Sequence, residues 1–119
     1  MRASKIPLWV LSNPSLAQGH STALALAAQQ HAHGWSVIVE GGPGNLSAPT
    51  GITLHQLAAQ CVCCVGQLPL RVTLARIIRL EKPARIVLEL LHAEHLEQAL
   101  ALLQSGSFGA HLQLEPAPV

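Results

Sequence analysis

The sequence predicts an α/β domain with a mainly parallel sheet flanked by helices. Two observations carry this. Short apolar runs of strand length at residues 6–11, 36–40 and 85–90 are separated by stretches with helical spacing. Those runs are apolar nearly throughout rather than alternating, the pattern of strands covered on both faces. A third observation supplies the material for a core: half of the 119 residues are hydrophobic, enough for one compact domain. No internal repeat and no linker divides the chain, so residues 1–119 read as a single domain.

Each element has a local reason. Residues 6–11 form the first strand, with Pro7 near its start, where a missing N–H is tolerated. Asn13-Pro14 opens a loop. An Ala- and Leu-rich helix follows from Ser21 to about His33, with Gly34 as its stop. Residues 36–40 form the second strand, halted by Gly41-Gly42-Pro43-Gly44. Alternation of Ile52, Leu54 and Leu57 with Thr53, His55 and Gln56 gives a third. Residues 67–81 form an amphipathic helix with Leu70, Leu74, Ile77 and Ile78 on its apolar face, ended by Lys82-Pro83. Another strand spans 85–90, a third helix runs from Ala93 to about Gln104, and residues 111–114 begin a last strand.

Composition narrows the function. Charged residues are 11% of the chain, against about 25% in ordinary soluble domains. Such a surface predicts a homo-oligomer, a protein partner, or a fragment whose missing part covers an apolar edge. The net charge of +1, with only Trp9, Trp35 and Phe108 as aromatics, argues against nucleic acid. No apolar run approaches the ~18–20 residues of a membrane span. The run from Ile6 to Leu11 is too short for a signal peptide. All cysteines lie together at Cys61, Cys63 and Cys64, which fits a reducing, cytoplasmic setting.

Those cysteines are the strongest chemical signal. Three thiols in Cys61-Val62-Cys63-Cys64 form a soft donor set for Zn²⁺ or a similar thiophilic ion. A zinc site takes four ligands, so one position is left for another group. Glu40 is the best oxygen candidate, because it ends a strand beside a glycine-rich loop, where ligands gather in open α/β sheets. The alternative is that the thiols are small buried hydrophobes and that Glu40 is a solvated strand end. A second signal lies between the first strand and first helix. Against the phosphate-binding pattern Gly-x₄-Gly-Lys-Ser/Thr, the chain has Pro14 to Thr22. Gly19, Ser21 and Thr22 match, Pro14 replaces the first glycine, and His20 replaces the lysine. The chain contains no aspartate to support Mg²⁺.

Together these residues resemble the CobW family of metal-handling P-loop GTPases, relatives of the GTPases that insert nickel into urease and hydrogenase. The landmarks are Ile6 to Leu11 with the loop ending Gly19-His20-Ser21-Thr22, then Val37-Ile38-Val39-Glu40. Next come Cys61-Val62-Cys63-Cys64 leading into Gly66-Gln67-Leu68-Pro69-Leu70-Arg71, and finally Ile86-Val87-Leu88-Glu89. The resemblance implies a P-loop NTPase-like sheet that covers the N-terminal half of the family's GTPase domain. It also implies a metal site of Cys61, Cys63, Cys64 and Glu40, and GTP with Mg²⁺ at Gly19, His20, Ser21 and Thr22. The departures at Pro14 and His20, and His92 where the family's Glu-x-x-Gly has its glycine, argue against hydrolysis.

Three functional readings stay open: a zinc-binding, metallochaperone-type protein or pseudo-GTPase, a non-catalytic oligomerisation or partner-binding module, and a GTPase with an atypical loop. Among other polar residues, His92 and His95 share a helix face. His31 and His33 complement a helix end. His55 reads as an exposed strand residue, and Glu89 as a partner for Arg85 or Arg71.

Overall fold

The computed structural model describes residues 5–58 and 67–118. Five parallel strands lie in the order β3-β2-β4-β1-β5. They are β1 (Ile6–Ser12), β2 (Trp35–Glu40), β3 (Ile52–Leu57), β4 (Arg85–Leu90) and β5 (Leu112–Leu114). Among the described residues four α-helices accompany them: α1 (Thr22–Gln29), α2 (Leu68–Arg76), α3 (Leu96–Gln104) and α4 (Gly106–His111). The architecture is the α/β parallel sheet that the apolar runs imply, and it is consistent with a P-loop-type fold. The thiols at Cys61, Cys63 and Cys64 lie outside the described residues.

Strand parity sorts the core into two layers. Leu8, Ile38, Ile86, Leu88 and Leu90 face α2 and α3, where they meet Leu70, Leu74, Ala99, Leu102 and Leu103. Trp9, Leu11, Trp35, Val37, Val39 and Val87 face the other way and pack with Leu16, Ala23, Leu24 and Ala27 on the α1 side. All six residues of β2 are buried, as its unbroken apolar run requires. Pro7 precedes the stretch of β1 that pairs with β4, which begins at Leu8, so its missing N–H costs that ladder nothing.

Two helix ends differ from the sequence expectation. The first helix stops at Gln29 rather than near His33. His31 takes φ 50, and the Ala32 N–H bonds back to the Ala27 carbonyl at 2.9 Å, a Schellman closure with histidine in the left-handed position. Gly34 does a different job: its N–H meets the Gly51 carbonyl and its own carbonyl accepts from Ala84, which ties the entries of β2, β3 and β4. The second helix continues past Arg76 as a wider π turn, Ile77–Glu81, closed by Lys82 at φ 46 before Pro83. α4 was not expected, since Ser105-Gly106 reads as a plain stop.

The end of that π turn is fastened to the sheet. Ser36 Oγ donates to Glu81 Oε1 at 2.6 Å, and His55 Nε2 lies 2.9 Å from Glu81 Oε2. His55 is therefore partly buried and paired rather than simply exposed. Burial works to raise the Glu81 carboxyl. The hydrogen bonds from Ser36 and His55 and the nearby charges of His55 and Arg76 outweigh it, leaving the group below its ordinary value of 4.5. A depressed folded value means that Glu81 stabilises the fold above pH 4.5 and that this contribution is lost as the pH falls through the folded value.

Glu81→Gln lowers stability in urea melts at neutral pH, and the gap from the parent closes as the pH drops below 4.5; a gap that widens in acid contradicts the assignment. Leu74→Ala, at a fully buried position, costs about 2–5 kcal/mol. Leu80→Ala, at a position 65% exposed, stays within about 0.5 kcal/mol in the same melts.

Candidate functional site

The chemistry-bearing residues collect at the carboxyl edge of the sheet, where open α/β folds place their ligands. β1 leaves the sheet into Asn13 and a 3₁₀ turn, Pro14–Gln18. Asn13 organises that turn. Its Oδ1 accepts from the Ser15 N–H at 3.0 Å, and its carbonyl accepts from Leu16. Its Nδ2 donates to the His20 carbonyl at 2.8 Å and to Glu89 Oε2 at 2.9 Å. Gly19 closes the turn at φ 88, a conformation that favours glycine, and a Cβ there would sit 3.3 Å from Pro43. Ser21 then caps α1, its Oγ accepting from the Leu24 N–H at 3.1 Å.

Glu89, next to last in β4, is fully buried and points at the start of α1. Its Oε1 accepts from Ser21 Oγ at 2.6 Å and from the Ala23 N–H at 3.3 Å. Its Oε2 accepts from the Thr22 N–H at 2.7 Å. The sequence offered Arg85 or Arg71 as its partner. Arg85 instead bonds Glu115 at 2.9 Å and lies over the Trp9 ring, 3.9 Å from its centroid. Sequence reasoning missed both Glu89 in this role and Asn13. The signals were present in strand parity, which sets Glu89 on the face of Val87 and hence toward α1, and in the Asn-Pro pair.

Glu40, the last residue of β2, is also fully buried, but on the opposite face. Its Oε1 accepts from the backbone N–H groups of Leu91 at 2.9 Å and His92 at 3.4 Å. Its Oε2 takes a short contact from His95 Nδ1. The alternative of a solvated strand end does not hold. With Nδ1 donating to the carboxylate, a neutral His95 carries its lone pair on Nε2. Nothing among the described residues bonds that nitrogen. The His92 ring stands edge-on to it, with centroids 5.2 Å apart. Glu40 is paired in the sheet with Leu57, the last residue of β3, and the chain from β3 runs on to the thiol segment. Among the described residues no group of three or more metal-ligating side chains comes together.

The four loop residues expected at a phosphate all border shallow grooves, with His20 exposed. One groove of about 550 Å³ runs between the 3₁₀ turn and the loop after β2, lined by Gln18, Gly19, Ser21, Pro43, Asn45 and Ser47. Gln56 holds that loop by donating to the carbonyls of Gly41, Gly42 and Pro43 at 2.8–3.1 Å. No helix among the described residues is long and apolar enough to cross a membrane.

Among known proteins, the chain is similar to the zinc chaperone YeiR of Escherichia coli K12, with 36% identity over 74 residues, covering 58% of this chain. It spans 23% of that relative's length. No protein-family model matches the chain, and no solved structure does.

The Glu40 cluster yields a direct expectation. Glu40→Ala takes the carboxylate away from His95 Nδ1 and orphans two backbone donors, and costs about 1–3 kcal/mol. Chemical denaturation of the two proteins side by side measures it; a loss below 1 kcal/mol contradicts the described pairing.

Proposed function

We propose that the chain belongs to the CobW-like family and handles zinc or a similar thiophilic ion, as a metallochaperone-type protein, through Cys61, Cys63 and Cys64. The observation that carries this is the similarity to a zinc chaperone, read with the three clustered thiols. Thiolates bind soft ions by charge and polarisability, and three of them leave a coordination position through which cargo can be passed on. In such a scheme zinc is cargo, and ligand exchange at the open position is the working step.

Glu40 contributes to this site through His95 rather than by itself. Both of its oxygens are already engaged by neighbouring donors. By holding Nδ1, the carboxylate orients the imidazole and leaves Nε2 as the free ring nitrogen, the arrangement found behind metal-bound histidines. His95 then offers Nε2 as a nitrogen donor for the ion.

Metal titration of the reduced protein against a competing chelator tests the reading. The parent binds zinc stoichiometrically and releases protons as the thiols ionise. Cys63→Ser combined with Cys64→Ser lowers the affinity by orders of magnitude, and His95→Gln lowers it about 10–100-fold. Zinc affinity unchanged by the double thiol substitution overturns the proposal.

A second reading, a partner-binding module, is favoured by one feature. Leu68, Val72 and Leu80 are 55%, 55% and 65% exposed along α2 and its π turn. Light scattering separates the two, because the module forms a stable oligomer whether or not metal is present.

A further inference from the structure

The loop before α1 has the position of a nucleotide phosphate site, and the family resemblance implies GTP with Mg²⁺ there. The residues present do not fit that ligand. A phosphate at a helix N-terminus needs free backbone N–H groups. Here most of them are spent. Ser15 and Leu16 donate to Asn13, Gly19 donates to the Leu16 carbonyl at 2.9 Å, and His20 donates to the Ser15 carbonyl at 3.1 Å. At the helix itself Thr22 and Ala23 donate to Glu89, and Leu24 donates to Ser21 Oγ. Ser21 Oγ, the hydroxyl placed to hold a metal ion in the phosphate pattern, gives its proton to Glu89. The 3₁₀ turn replaces the curled backbone that would surround a phosphate.

We propose that Glu89 is a built-in occupant of the anion position at the start of α1, and that it excludes phosphate groups from the loop. Its carboxylate makes the bonds an incoming phosphate oxygen would make, to Ser21, Thr22, Ala23 and Asn13. It is fully buried, and its negative charge repels a second anion. No lysine offsets that repulsion. Lys5 and Lys82 precede β1 and β4 and so lie at the amino edge of the sheet, away from the loop. The loop thus holds its shape with no nucleotide present. The inference does not depend on zinc handling: either can fail alone.

Amide NMR with inorganic pyrophosphate, and separately with GTP and Mg²⁺, tests it on the intact chain. In the parent protein the Thr22 and Ala23 amides exchange slowly and do not move during either titration. In Glu89→Ala the freed donors bind pyrophosphate at least about tenfold more tightly than the parent, and the same two amides shift. Glu89→Gln, which keeps the shape and removes the charge, falls between them. Saturable movement of Thr22 and Ala23 in the parent overturns the proposal. So does a folded Glu89→Ala with no gain in affinity. If Glu89→Ala does not fold, the parent titration and Glu89→Gln decide the matter, since a Glu89→Gln protein that binds no better than a silent parent also counts against exclusion by charge.

Discussion

One buried carboxylate sets the relation between the sheet and its first helix. Among the described residues Glu89 has no cationic partner; each bond it accepts there comes from a neutral donor. Burying a charge this way is tolerable only because the donors are several, short and pre-aligned, and because the positive end of α1 faces it. The consequence is geometric. Glu89 joins β4, the residue after β1 and the first turn of α1, so the helix cannot rotate without breaking the knot. Its rotation in turn sends Ala23, Leu24 and Ala27 onto the sheet.

Glu40 follows the same logic on the other face. It ends a neighbouring strand, is equally buried, and gathers the chain after β4 through Leu91, His92 and His95. The two carboxylates divide the carboxyl edge between them. On the α1 face Glu89 consumes the donors and closes the site. On the opposite face Glu40 consumes one nitrogen of an imidazole and leaves the other able to accept a ligand. Identical side chains at similar strand positions produce a closed site and an open one, because one meets a helix terminus and the other a histidine.

Much of this was legible in the residues. Unbroken apolar runs marked the central strands correctly, since strands covered on both faces admit few polar residues. Pro83 marked the end of the long helix. The end of α1 was not legible: a histidine at φ 50 closes it, and histidine carries no such signal. The partner of Glu89 was misjudged because charge invites a search for opposite charge. Parity would have shown that Glu89 lies with Val87 and must meet the helix after β1. His95 was considered with His92 by spacing alone, whereas its role depends on Glu40, 55 residues away in sequence, and such pairing has no local trace.

The closed site bears on how metal could be exchanged. In a nucleotide switch, a phosphate group orders the loop when bound and releases it when cleaved, and the two loop states bias a distant site. That device requires the ordering anion to leave. Here it is a side chain, tethered to the strand beside β1. It cannot dissociate, and on the proposed exclusion its contacts stay the same when a solution anion arrives. A ligand that has no differential interaction with two states shifts nothing between them. On the proposed reading, cargo transfer is therefore driven by chemistry at the metal ligands themselves, by protonation of thiols and by competition from an acceptor's donors, and the sheet serves as a rigid mount rather than as a transmission.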